Sequence, residues 1–453
     1  MKRLLMIAPA FPPHPSASGH RWRFVARYAS VHGWHCDVLT VAERHHVEPM
    51  DEELRRLVPS DITIFETGAA SKQIARRAGF SDISLRAFFP MRRRLLDLIR
   101  TRRPDVVYIP GPPFYQFLLG PFICAPHGVP YVLDYTDPWV AALTPEQDDP
   151  RKKIYWARKV AELLEPPTVR KAAHIFAVSD GTNEGIRSRH PEIPASRFSA
   201  VPFGFEPRDF EVLRAHPRAN HWWDEHDGNI HLVYVGAMLP HGYETLRALF
   251  RAVLAIRADD PATGNRLRLH FFGTTYDPNA VEPLVLPTAQ SLGLGDVVTE
   301  HPRRVPYLDA MNLLTSADVV LALGSSESHY TASKIFPILL SGRPVFAAYH
   351  EASSVCEITR ESGIGDLVAY SDTERAEDRV PEFAAKLRAA IARVGSAAQT
   401  PRLEQLEPFT ARATTRHMFD VMQRIAEQNG RVRASDDPDA PSSSASMPAQ
   451  VDR

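Results

Sequence analysis

The feature that most constrains this chain is an alternation that runs twice. Short, β-rich apolar segments of strand length are separated by longer stretches with helical spacing. The first series reads RLLMIAP, a helix over about His20–His32, CDVLTV, DVVYIP, YVLDY, HIFAVS (His174–Ser179) and RFSAVPFG (Arg197–Gly204). Strand, helix, strand in sequence predicts a parallel sheet with crossover helices. The series closes near Phe205. A second begins at HLVYVGAM (His231–Met238) and continues through LRLHFFGT, VVTEH, DVVLALG, PVFAAY and DLVAY. The expected architecture is α/β with two domains, 1–205 and 206–400. Terminal helices follow over 401–430, and a disordered tail over 431–453 is too rich in Ser, Pro, Asp and Ala to bury a core. The 453 residues also exceed one ordinary core and suit two. The stretch PRDFEVLRAHPRANHWWDEHDGN has turn residues and no long apolar period, so it reads as the interdomain connection.

Composition narrows the class. With 44% hydrophobic and 24% charged residues and a formal charge of -1, the chain has no global field to recruit nucleic acid. Cys36, Cys124 and Cys356 have no paired spacing, which argues against a disulfide framework or a zinc site and reads as buried thiols in a reducing cytoplasm. The opening MKRLLMIAPAFPP holds too short an apolar run for a signal segment and reads as a first buried strand. No run reaches the roughly 18 apolar residues of a membrane-spanning helix.

Ligands of open α/β sheets sit at the carboxyl ends of the strands, so the loops there carry the candidate chemistry. After the first strand, Ser16–Gly19 are small and feed a helix, which permits close approach to backbone amides or simply makes a turn. YVLDYTDPW ends in Asp134 and Asp137, carboxylates suited to accept sugar hydroxyls or an acceptor proton, or to cap the turn. Trp139 would stack on a sugar ring or fill the core. Gly236 stands at a strand end ahead of a helix opening near Tyr243 or Glu244, and Gly273 at another. The richest stretch is SADVVLALGSSESHYTASKIFPILLSGRPVFAA. Here Thr331, Ser333 and Lys334 gather hydroxyls, amides and an ammonium at the start of an apolar helix that Ser341–Pro344 close. Such a helix start favours an anion, with a diphosphate the natural guest, or is simply a Ser N-cap beside a solvated lysine.

Taken in order, these motifs resemble the retaining, GT-B fold glycosyltransferases of glycosyltransferase family 4, from Met1 to about Tyr370. FPPHPSASGHRWRFVARYASVHGWHCDVLT is similar to the family's opening strand, glycine loop and helix, and PDVV with GVPYVLDYTDPW to its DxRDxW-type stretch. PASRFSAVPFGFE, VYVGAM, LRLHFFGT, SADVVLALG and TASKIFPILLSGRPV follow in the family's order. The resemblance implies two Rossmann-like domains facing a central cleft, with the terminal helices crossing back to the first. It implies an acceptor on the N-terminal side and a nucleotide-diphosphate sugar on the C-terminal side, used without a metal or other cofactor. By position, Gly19 would face the donor phosphate and Asp137 the acceptor side, with Gly236, Ser333 and Lys334 bordering the diphosphate. Two departures stand out. Where many relatives carry two glutamates flanking this helix start, the matching residues are His329 and Pro337. Pro240 and His241 stand where a basic pair is common, leaving Lys334 as the main cation, with Arg343 beyond the helix.

The implied reaction is retaining sugar transfer to a glycan or lipid-linked acceptor in polysaccharide or cell-surface glycan synthesis. The rival expectations are a degenerate binding subunit and a sugar-nucleotide epimerase. Basic residues interleave with Leu, Ile and Phe in SKQIARRAGFSDISLRAFFPMRRRLLDLIRTRRPD, which suits either an ordinary solvated helix or peripheral contact with an anionic membrane at its inner face.

Overall fold

The computed structural model describes residues 1–77, 82–238, 240–275, 280–325, 334–397 and 403–435. Two parallel sheets organise them. The first has the order β3-β2-β1-β4-β5-β6-β7, from β1 (Lys2–Ile7), β2 (Trp34–Val41), β3 (Thr63–Thr67), β4 (Val106–Gly111), β5 (Tyr131–Tyr135), β6 (His174–Ala177) and β7 (Phe198–Ala200). The second has the order β10-β9-β8-β11-β12-β13, from β8 (Ile230–Val235), β9 (Leu267–Phe272), β10 (Val298–His301), β11 (Val319–Leu323), β12 (Val345–His350) and β13 (Asp366–Tyr370). Every residue of β4, β5, β11 and β12 is buried. Helices cover both faces of such sheets, and this is why their strands read as continuous apolar runs.

Sequence reasoning and structure part where burial is one-sided or local order is broken. β3 went unread because, as an edge strand, it alternates half-buried Thr63, Phe65 and Thr67 with exposed Ile64 and Glu66. The apolar stretch after β4 breaks into short turns over Tyr115–Leu118, Gly120–Cys124 and Ala125–His127. Gly120 lies so close to the Tyr131 ring that a Cβ there would come within 2.5 Å of it, and Pro121 and Pro126 withhold backbone donors. The opening helix starts earlier than expected, at Ala17, because the Ser16 side chain caps it by accepting from the Gly19 N–H, and it ends at Tyr28. The connection contains a helix, Arg208–Ala215, whose Phe210 and Leu213 bury against Leu54 and Leu57 of the first unit and Leu308 and Met311 of the second. Its apolar face has meaning only with both partners present.

After the second sheet the chain returns. Phe205 N–H donates to Phe409 O at 3.0 Å, and Ala411 N–H donates to Phe205 O at 2.7 Å. The helix Ala411–Ser435 then lays Met418, Phe419, Val421 and Met422 into the first core beside Leu4, Met6, Trp22 and Trp34. It runs past the point where the tail was expected to begin, since RVRAS is made largely of residues compatible with a helix.

The junction between the units also buries polar groups. Arg23 of the opening helix, 0% exposed, pairs bidentately with Asp209 of the linker helix, which is also buried. The Tyr307 hydroxyl, from the helix Tyr307–Ser316 of the second unit, donates to the same carboxylate at 3.0 Å. His20 packs its ring 4.1 Å from that of Tyr307 and accepts from Arg23 Nε at 3.1 Å through Nδ1. Burial first, then the positive charges of Arg23 and Arg304, lower its pKa well below the ordinary value. Asp51 accepts the Tyr307 N–H at 2.9 Å, and Arg218 bridges Glu53 and Asp309.

Removing one partner of a buried pair leaves the other charge uncompensated, which costs roughly 3–5 kcal/mol. Asp209→Ala is therefore expected to lower the unfolding free energy by about that amount, measured by denaturant titration. Arg151→Ala, which opens an exposed pair with Asp149, should leave the same titration nearly unchanged, because solvent already screens that contact. His20 supplies a second expectation. Its folded pKa lies below its unfolded value of about 6.5, so its contribution is intact above pH ~6.5 and falls as pH drops below it, where the unfolded chain takes up a proton first. His20→Gln, which keeps an acceptor for Arg23, should flatten that part of the stability profile measured by thermal unfolding between about pH 5 and 7.5.

Candidate functional site

In each sheet the chain reverses its direction of growth at one place. The first grows outward from β1 through β2 and β3, then resumes on the other side with β4, and the second does the same at β8 and β11. A crevice at the carboxyl ends of such a strand pair is where open α/β sheets bind ligands.

At the second crevice β8 runs into Gly236, whose φ is 138°, a conformation that favours glycine. A Cβ on Gly236 would lie 3.2 Å from Lys334 Nζ and 3.3 Å from its Cδ. Lys334 Nζ donates to the Tyr234 hydroxyl at 2.6 Å and sits 4.2 Å from the centre of that ring. The hydroxyl in turn donates to Ala237 O at 2.9 Å. Met238, Gly242, Gly324 and Ser325 complete the small cavity around them. Gly324 is fixed by packing, since a Cβ there would meet the Tyr349 ring at 2.4 Å. Ser325 O accepts from the Tyr370 hydroxyl at 2.9 Å. The structure thus brings Gly236 and Lys334 together, and adds Tyr234, which sequence reasoning missed. Tyr234 lies inside a strand that reads as pure core, and only its position two residues before Gly236 hints at an outward-reaching hydroxyl.

Thr331, Ser333 and His329 lie outside the described residues. The helix that follows is shorter than expected, Ile335–Leu339, with Lys334 at its N-cap. Pro337 is its third residue, where a backbone N–H has no intrahelical acceptor in any case. Arg343 is turned to the opposite end, donating from Nε to Thr315 O at 2.6 Å. Pro240 and His241 form a tight turn with Gly242 before the helix Tyr243–Asp259, and Glu244 in that helix pairs with Arg375. Gly273, at φ 68°, turns the chain with its N–H on His301 O.

At the first crevice Ser18 Oγ lies 2.9 Å from Thr136 Oγ1, and Thr136 bonds Gly111 O through both its side chain and its N–H. Gly19 is buried in the first turn of the opening helix, its N–H taken by Ser16 Oγ at 3.1 Å. Asp134 and Asp137, alike in sequence, part company here. Asp134 is wholly buried and accepts from Arg21 Nε and Nη2 at 2.7 and 2.9 Å and from the Tyr108 hydroxyl. Burial first, then the Asp134 charge, raises the Tyr108 pKa well above its usual value. Arg21 also ties down Val201 O and Pro202 O, so this network locks the end of the first sheet. Asp137 is exposed at the mouth, with enough protein around it that partial desolvation raises its carboxyl above the ordinary range. Trp139 stacks on Phe114 at 5.7 Å and packs edge-on to Phe117, filling the core flank.

Residues 16–204 match the family model described as Glycosyl transferase 4-like domain. No curated protein matches the chain. Among solved structures the fold is similar to Anabaena HepE in complex with UDP and glucose, at 12% identity, with 96% of this chain and 100% of that chain covered and a TM-score of 0.52. It is similar to WaaG, a glycosyltransferase involved in lipopolysaccharide biosynthesis, at 14% identity, with 94% and 99% covered and a TM-score of 0.51. It is similar also to the α,α-trehalose 6-phosphate synthase of Burkholderia multivorans, at 12% identity, with 96% and 98% covered and a TM-score of 0.58. These identities show the fold, two Rossmann-like units arranged as in GT-B glycosyltransferases, and within it residues 16–204 are similar to a glycosyl transferase 4-like domain.

Proposed function

We propose that the protein transfers a sugar, with retention of configuration, from a nucleotide-diphosphate donor seated at the second crevice to a glycan or lipid-linked acceptor at the first. The observation that carries this reading is the ammonium of Lys334 held on Tyr234 beside the glycine strand end at Gly236. A glycine there lets a diphosphate approach the backbone, and the ammonium is fixed in advance where the leaving group gathers charge. The UDP, with glucose, bound by the HepE of similar fold makes a uridine diphosphate sugar the first donor to test. In this scheme Gly236, Thr331, Ser333 and Lys334 border the diphosphate and Gly19 faces it from the first domain. The departing phosphate takes the acceptor proton, and Asp137 orients the acceptor at the mouth. Residues of this chain then position and stabilise without any cofactor beyond the donor itself.

A lipid-linked acceptor draws support from the surface of the first domain. The helix Ile83–Arg102 exposes Phe89, 77% accessible, along with Arg92, Arg93 and Arg100. The turn Gly120–Cys124, which exposes Phe122, packs on this helix and on the helix Lys153–Arg170. The latter exposes Trp156, Val160 and Leu163 at helical spacing, next to Lys152 and Lys159. Apolar groups flanked by cations suit the headgroup region of an anionic bilayer, so we place the protein in the cytoplasm with peripheral contact at the inner face. Among the described residues no helix is long and apolar enough to cross a membrane.

Lys334→Ala should reduce turnover by about 10²–10³-fold, as loss of one preorganised charge stabiliser does, measured as sugar transfer by mass spectrometry over a panel of donors and acceptors. Transfer at the parent rate would remove Lys334 from the reaction. Donor incubated alone should remain intact; donor conversion without acceptor would point to epimerase chemistry instead. Co-sedimentation with vesicles containing phosphatidylglycerol should fall at least severalfold in Trp156→Ser/Leu163→Ser, and equal sedimentation would sink the membrane face.

A further inference from the structure

The loops after β1 and β2 converge on a cluster that sugar transfer leaves unused. His14 stands in the first, just before the Ser16 cap, and His46 and Glu48 stand in the second, just after the turn Glu43–His45. A ring nitrogen of each histidine and a Glu48 carboxylate oxygen all lie within 4.8 Å of one another. His14 Nε2 is 3.4 Å from Glu48 Oε2, and the two imidazoles lie 4.8 Å apart, tilted by 55°.

We propose that His14, His46 and Glu48 bind one divalent transition-metal cation of the Zn²⁺ class, which clamps the β1 and β2 loops together. The donors are two neutral nitrogens and one carboxylate oxygen, a set that suits Zn²⁺, Co²⁺ or Ni²⁺ and is poor for Mg²⁺ or Ca²⁺, which want oxygen alone. In tetrahedral geometry with metal–ligand bonds of about 2.1 Å, neighbouring donor atoms stand about 3.4 Å apart. The His14–Glu48 pair already has that spacing. The His46 nitrogen that faces away from the cluster fits the same reading. His46 Nε2 lies 3.3 Å from Val41 O, so its N–H is held by a carbonyl and the Nδ1 lone pair is left for a cation, the usual arrangement of a ligating histidine. Three protein donors leave a fourth position for water.

The clamp acts on segments that shape the cleft. His14 closely precedes the Ser16 cap and the Ser18 hydroxyl of the first crevice. The second loop runs on to Asp51, whose N–H donates to Pro13 O at 2.9 Å and whose carboxylate accepts the Tyr307 N–H of the second unit. A cation at this point ties both loops to one another beside the domain junction.

The test is isothermal titration of the chelator-treated full chain with Zn²⁺, and separately with Mg²⁺ and Ca²⁺, together with thermal unfolding of the same samples. One saturable Zn²⁺ equivalent is expected, with a rise in melting temperature and no response to Mg²⁺ or Ca²⁺. Affinity should fall at least tenfold in Glu48→Gln, a half-exposed position where folding is not at risk, and in His46→Ala, with the melting shift lost in both. The chain has 19 histidines, so weak surface binding is the competing outcome. An isotherm and melting shift unchanged in His14→Ala/His46→Ala, or in Glu48→Gln if the double variant does not fold, would overturn the proposal, as would the absence of saturable binding to the parent chain.

Discussion

The arrangement of the two sheets depends on the Arg23–Asp209 pair and the Tyr307 hydroxyl that joins it. One group comes from the opening helix, one from the linker helix and one from the second unit, so the network is satisfied only when all three are in register. Apolar contact between Phe210, Leu213, Leu54, Leu57, Leu308 and Met311 surrounds it, but such contact tolerates sliding. A buried carboxylate with fixed donors does not, because any displacement leaves charge unsolvated. The energetic gain of burying the pair is small or even negative compared with an apolar replacement, and its contribution is to orientation. That orientation sets how the first unit stands relative to the second.

The sheets were legible in the sequence for a simple reason. Strands covered on both faces, such as β4 and β11, must be apolar throughout, and runs like DVVYIP and DVVLALG record that directly. The return of the last helix was read from family order, and the structure supplies its cause: Met418, Phe419 and Met422 fill the space beside Trp22 and Trp34. What escaped were elements whose burial depends on distant partners. The linker helix buries Phe210 and Leu213, and neither means anything in sequence until helices from both units cover them. β3 has one neighbour and a mixed pattern, and sequence periodicity assigns such a segment to no class.

The candidate site was half legible. A glycine at a strand end and a lysine at a helix start are local signals, and Gly236 and Lys334 do meet. Their connector, Tyr234, belongs to a strand whose side chains are otherwise core, and no local pattern distinguishes a tyrosine that anchors an ammonium from one that fills space. Asp134 and Asp137 make the same point in reverse. Both are acidic and stand three residues apart, yet one, inside β5, saturates its oxygens on Arg21 and Tyr108 while the other, just past the strand, is exposed. Arg21 lies in a helix more than a hundred residues earlier, so the difference is written in tertiary contact alone.

The two crevices also differ in how their polar groups are committed, and this bears on which substrate suits each one. In the first, Ser18, Thr136, Arg21 and Asp134 already bond one another or the backbone, and Gly19 gives its N–H to Ser16. A ligand there finds hydroxyls and the exposed Asp137, groups suited to exchange hydrogen bonds with sugar hydroxyls. In the second, the Lys334 ammonium lies over an aromatic face and donates to a phenol. The phenol and the ring face fix where the ammonium stands. A group held in place in this way meets an incoming anion at little cost in reorganisation. The proposed seating follows these groups: the anionic, nucleotide end of the donor at the second domain, beside an ammonium and a glycine strand end, and the neutral, hydroxylated acceptor at the first, beside hydroxyls and a carboxylate.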